Sequence, residues 1–251
     1  MRYKTDMEAI KGVALSLLYT TIHETEFSPI IVQHPFTSSG CVVIRENDQT
    51  VMLNILESEE NLRRWQKFMS EQIKSANDVY QIFILVNKPY GLTFLKFASE
   101  SLSDEDFSKV LCDAWISSEN PNCDANVSKE ELIRLFKSAD TKYLMAPEER
   151  NQLNELDDIV TVYRGVTSYN ADNIYALSWS LKYDKADWFA HRFNEDGTVY
   201  QGQISKKNIL ALFNGRNESE IILDPNHLMN VIKLEEPCQD FTQSESFNQN
   251  M

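Results

Sequence analysis

Ile159-Val160-Thr161-Val162-Tyr163-Arg164-Gly165 is the stretch on which the fold of this chain turns. Apolar side chains recur at every second position, the pattern of a β-strand with one buried face. Arg164 falls on the same face as Val160 and Val162. A guanidinium aimed at the buried side of a strand needs an anionic partner, and a diphosphate is a natural one. An arginine at a strand end reaching solvent is the ordinary alternative.

Downstream, short apolar runs at 176–181, 199–204, 209–213, 220–223 and 230–234 predict further strands. In Ala176-Leu177-Ser178-Trp179-Ser180-Leu181, alternation sends Leu177, Trp179 and Leu181 to one face and the hydroxyls of Ser178 and Ser180 to the other. Such a face is a wet cleft or a plain solvent face. In Arg216-Asn217-Glu218-Ser219-Glu220, two carboxylates two residues apart lead into an apolar strand, so both can point the same way, about 7 Å apart. Paired carboxylates are acid–base candidates, because like charges that close resist joint ionisation. They are also a common accident in an acidic chain.

Upstream, helical spacing of Ile10, Val13, Leu17 and Leu18 predicts a first helix from Asp6 to about residue 23. Strands are expected at 30–33, 41–45 and 51–55, the last two joined by a turn at Asn47-Asp48. Leu62, Trp65, Met69 and Ile73 form one face of a second helix. The runs 79–86 and 92–97 around Pro89-Tyr90-Gly91 read as another hairpin. Three helices follow: one opened by Ser103, one by the capping box Ser128-x-x-Glu131, and one with Pro147 in its first turn. The fold class is therefore α+β. The expected division is an accessory α+β unit over residues 1–99, a second domain over 100–237, and a polar tail over 238–251.

A hydrophobic share of 42% supports a real core. A formal net charge of -14 and a pI near 4.7 lean against a surface built for nucleic-acid phosphates, and Lys206-Lys207 with Arg216 is a weak basic strip to the contrary. Cys41, Cys112, Cys123 and Cys238 lie apart with no CxxC pair, so they read as reduced thiols, and no transition-metal site is expected. The apolar segment 12–19 is short and preceded by Asp6 and Glu8, which favours an amphipathic helix over a leader. With no run long enough to cross a bilayer, a cytoplasmic location and no membrane partner are expected. Dinucleotide and phosphate-loop glycine motifs are absent, and so is GxSxG. Asn120, Asn122, Asp124, Ser128 and Glu131 have calcium-loop spacing, but Ala125 stands where the sharp turn wants glycine. A capped helix–loop–helix explains the same residues.

Tyr163-Arg164, then Ser178-Trp179-Ser180, then Glu218-Ser219-Glu220, in that order and strand context, resemble the R-S-E class of mono-ADP-ribosyltransferases. That class includes clostridial and cholera-type toxins, animal arginine-specific ectoenzymes and phage enzymes. The resemblance covers residues 159–234. It departs from the toxins in the short span of 14 residues from Arg164 to Ser178, which leaves the cleft-side helices to come from before the strand. The resemblance implies a split β-sandwich with flanking helices and NAD as co-substrate in the cleft between two small sheets. Arg164 would clamp the diphosphate, with Gly165 and Ser180 beside it. Ser178 would hold the nicotinamide ribose, and Glu220 would stabilise the charge that develops on that ribose. Glu218 would orient and deprotonate the acceptor, a pattern that goes with arginine on protein. Phe213, Trp188 or Phe193 would cover the nicotinamide. The function implied is transfer of ADP-ribose to an intracellular macromolecule, by a toxin or anti-phage effector or a phage modifier of its host, with an inhibitor or antitoxin protein as a possible partner. The alternatives are a nucleic-acid acceptor, or an inactive interaction module of the same fold.

Overall fold

The computed structural model describes residues 4–170, 173–192, 196–215 and 218–234. In chain order, α1 (Met7–Leu18) leads into β1 (His23–Thr25), β2 (Ser28–His34), β3 (Thr37–Ser39), β4 (Cys41–Glu46) and β5 (Gln49–Asn54). Helices follow: α2 (Glu59–Ser75), α3 (Val79–Phe83), α4 (Gly91–Ala98), α5 (Asp104–Ser117), α6 (Lys129–Ser138), α7 (Thr141–Leu144) and α8 (Pro147–Glu155). The remainder is β6 (Ile159–Val166), β7 (Ser178–Ser180), α9 (Tyr183–His191), β8 (Thr198–Ser205), β9 (Ile209–Phe213), β10 (Glu220–Leu223) and β11 (Met229–Lys233). The protein is a mixed α+β fold. The expected tail at 238–251, with Cys238, lies outside the described residues.

Local chemistry explains most boundaries. Ser58, Ser103 and Ser128 cap α2, α5 and α6 through their hydroxyls, and Ser128 and Glu131 complete a reciprocal capping box. Asn47 and Asp48 have φ of 49° and 62°, the left-handed pair that a tight hairpin turn between β4 and β5 requires. Two expectations fail. The first helix stops at Leu18, where Thr20 bonds back to the Leu17 carbonyl at 2.7 Å, and His23 pairs with Gln33 in a strand. The β-branched run Thr20-Thr21-Ile22 favours that exit. The expected hairpin over 79–97 is instead α3 and α4. Asp78 caps α3 by accepting from the Gln81 amide at 3.0 Å, and Val79 and Ile82 are buried at helical spacing. Short apolar runs fit a buried helix as well as a buried strand.

Six strands form one antiparallel sheet in the order β11-β8-β6-β7-β10-β9. β6 pairs with β8 along its whole length, from Ile159↔Ser205 to Val166↔Thr198. It meets β7 at a single pair, Tyr163↔Ser180. Where the resemblance implies two small sheets, the strands form one sheet with a narrow seam between β6 and β7. The reason is visible at Ser178. Its carbonyl accepts from the Arg164 guanidinium at 2.6 Å, and its amide donates to Asn122 Oδ1 at 3.3 Å. Side chains have taken the groups that a longer ladder would use.

The apolar core runs continuously from Ile10, Trp65 and Phe94 through Trp115 and Phe136 to Val162, Trp179 and Ile222, across the boundary expected at residue 99. Lys137 on α6 ties the helical layer to the end of β10 through a 2.6 Å ion pair with Asp224. Burial pushes the Asp224 carboxyl up, but the hydrogen bonds from Lys137 and Asn226 outweigh it and hold the group below the usual carboxylate range. On the other face, α9 lies against β6 at Gly165. A Cβ there would sit 2.0 Å from the Ala186 carbonyl oxygen and 2.6 Å from the Ala190 nitrogen. Gly197 faces the same helix, 2.0 Å from the Ala190 carbonyl oxygen by the same measure. Among the described residues no helix is long and apolar enough to cross a membrane.

Candidate active site

The seam between β6 and β7 opens into a cleft of about 720 Å³, including the space open to solvent. Arg164, Gly165, Ser178, Ser180, Glu218 and Glu220, the residues singled out in the sequence, all line it. The pairing of β6 with β7 and of β7 with β10 brings them to the seam. Along β6, Val160, Val162, Arg164 and Val166 are buried in turn, and Arg164 reaches across the seam to β7. Its Nη1 donates to the Ser178 carbonyl at 2.6 Å and its Nε to the Asn173 carbonyl at 3.2 Å. A guanidinium carries five N–H donors, enough to hold a cleft wall and an anion together.

β7, β10 and β9 bring Ser180, Glu220 and Phe213 into one row, since Glu220 pairs with Ser180 on one side and Phe213 on the other. Ser178, two residues from Ser180, lies on the same face. Its hydroxyl donates to Glu220 Oε1 at 2.5 Å. Glu220 is only 7% exposed, so its carboxylate depends on protein donors for solvation. The Ser180 hydroxyl donates to the Glu218 carbonyl at 2.9 Å. Between the two glutamates Ser219 adopts a φ of 47°, so the segment is kinked, where plain extended spacing was expected. Both side chains nevertheless border the cleft.

Phe213, expected among the NAD-binding residues, packs in the core with its ring centroid 6.4 Å from that of Phe136. With Ile116, Glu218 and Glu220 it borders a small recess that shares both glutamates with the cleft. Its place in the row opposite Glu220, against the helical layer, puts it there. Trp188 is 61% exposed and stacks edge-on against Phe189; Phe189 lines the cleft, as do Tyr163 and Trp179. Phe193 and Arg216 lie outside the described residues. Lys206, the other part of the expected basic strip, donates to the carbonyls of Leu156 and Asn154 at 2.6 and 3.2 Å and closes the end of α8.

Several residues were missed by sequence reasoning. Glu119, Asn122 and Arg192 line the cleft, and the Arg192 guanidinium stacks 5.1 Å from the Phe189 ring centroid. Asn122 Oδ1 accepts from the amides of Leu177 and Ser178 at 3.0 and 3.3 Å, which fixes the backbone that carries the Ser178 hydroxyl. Trp115, on the last turn of α5, donates its indole N–H to Glu220 Oε1 at 3.2 Å. Asn122 belongs to the calcium-like spacing, but the acidic members of that set are committed elsewhere. Asp124 accepts from the Asn126 and Val127 amides, and Glu131 bonds the Ser128 amide and Lys96. Comparison with protein-family models, with curated proteins and with solved structures finds no match for this chain.

Proposed function

We propose that this protein is a mono-ADP-ribosyltransferase that uses NAD as donor and the cleft at the β6–β7 seam as its active site. The observation that carries the reading is the convergence of Arg164, Ser178 and Glu220, from three separate strands, on one cleft, with the Ser178 hydroxyl 2.5 Å from the Glu220 carboxylate. In this scheme the bond from the ribose C1′ to the nicotinamide nitrogen breaks, and nicotinamide leaves with the bonding pair. Positive charge develops at C1′, where the fixed anion of Glu220 favours the transition state over the ground state. An acceptor nitrogen, arginine on protein in the favoured case, bonds C1′ and yields its proton to Glu218.

Arg164 supplies the clamp for the diphosphate. Arg164→Lys keeps the charge but loses the planar fork. It weakens NAD binding by roughly tenfold or more and shrinks the rise in melting temperature that NAD produces. An unchanged NAD-induced shift would reduce Arg164 to a brace for the Ser178 carbonyl.

The division between the two glutamates gives the test of transfer itself. In Glu218→Gln, nicotinamide release to water persists because Glu220 is untouched, whereas transfer to the macromolecule falls by on the order of 100-fold. Nicotinamide release and transferred label are measured in parallel on cell lysate with tagged NAD. Free arginine or agmatine competes for label if the acceptor is arginine. Equal loss of both activities would sink the assignment. Label removed by ribonuclease and not by proteinase would move the acceptor to nucleic acid.

A further inference from the structure

We infer that Trp115 is a positioning residue for this site, its indole N–H orienting the Glu220 carboxylate and sustaining it as an anion. The inference rests on the reading of Glu220 as the residue that meets the ribose. Trp115 is fully buried on α5, 105 residues before its partner, and its Nε1 donates to the same oxygen, Oε1, that accepts from Ser178. A carboxylate this deeply buried needs protein donors in place of water. Ser178 on the strand and Trp115 in the helical layer are among its donors.

A core tryptophan can satisfy its N–H without touching a functional group. Trp179 does so, donating to the Ala176 carbonyl at 3.0 Å, three residues away. Trp115 instead spends its N–H on the carboxylate, while its ring stands edge-on to Phe136 at 5.1 Å and 82°. Packing and hydrogen bonding are thus separable at this residue. Among the described residues, the charged groups that share the cleft with Glu220 are Glu218 at the entrance to β10, Arg164 on β6, Arg192 after α9 and Glu119 after α5.

The experiment compares Trp115→Phe, which loses the donor, with Phe136→Leu, which loosens the packing and leaves the donor. In Trp115→Phe, kcat for nicotinamide release falls about tenfold with KM for NAD within about twofold, and the acid limb of the rate profile moves up by roughly one pH unit. Phe136→Leu lowers the melting temperature and leaves the acid limb where it was. A second measurement needs no variant at Trp115 to fold. In the wild-type protein without NAD, the Trp115 indole N–H resonance moves as Glu220 titrates, and Glu220→Gln abolishes that movement. An unshifted acid limb in Trp115→Phe, equal shifts in both variants, or an indole resonance indifferent to Glu220→Gln would each overturn the inference. Should the wild type release no nicotinamide at all, the proposed function fails, and the indole measurement still decides the link from Trp115 to Glu220.

Discussion

Glu220→Gln abolishes nicotinamide release and ADP-ribose transfer together, by a factor on the order of 100 or more, while the protein stays folded and still binds NAD. The amide is nearly isosteric with the carboxylate, and its oxygen can accept from the Ser178 hydroxyl and the Trp115 indole as Oε1 does now. What disappears is the charge. Charge matters little to the bound ground state and much to a transition state in which the ribose becomes cationic. The loss therefore falls on kcat, not on NAD affinity. Turnover measured by nicotinamide release, set beside calorimetric binding of NAD, separates the two. More than about a tenth of wild-type turnover in this variant would show that another group carries the chemistry.

Gly165→Ala costs about 3 kcal/mol of stability, at the upper end of overpacking effects, and lowers Tm by roughly 10 °C. The added methyl meets backbone: the Ala186 carbonyl oxygen at 2.0 Å and the Ala190 nitrogen at 2.6 Å. Neither can swing aside as a side chain would, so α9 must lift away from β6. Gly197 meets the same helix as closely, since a Cβ there would sit 2.0 Å from the Ala190 carbonyl oxygen. Because α9 carries Phe189 and leads to Arg192, both of which border the cleft, NAD-dependent activity falls along with stability. Gly12→Ala on α1 is the matched control, since nothing lies within 4 Å of the added methyl there; it leaves Tm unchanged or slightly raised. Thermal unfolding of the two variants side by side checks the prediction, and a Gly165→Ala protein as stable as wild type would contradict it.

What the sequence discloses and what it hides divide along a physical line. Alternation along β6 and β7 places Arg164 and Ser178 correctly, because a strand's period of two is local and strict. Caps at Ser103 and Ser128 and the turn at Asn47-Asp48 are legible for the same reason: each is decided within four residues. The helices at 79–98 are not, since a short, almost wholly apolar run buries itself equally well in either geometry. Trp115 and Asn122 are invisible for a different reason. Their partners lie 105 and 55 residues away, and nothing in the spacing around either residue announces a contact made across the chain. Phe213 shows the same limit: its row in the sheet is legible, but the packing of its ring against Phe136 is not.

The single backbone pair at Tyr163↔Ser180 has a consequence for the unit in which this protein loses order. Sheets separate where their ladders are thinnest, and cooperative units of unfolding follow such lines. Arg164 belongs to the β11-β8-β6 half, whereas Ser178 and Glu220 belong to the β7-β10-β9 half. The site is a property of the docked pair and of neither half alone. A fluctuation that parts the seam takes apart the proposed site while leaving both halves' internal ladders intact, so under this proposal competence for chemistry is set by the weakest joint in the sheet and not by the stability of the whole.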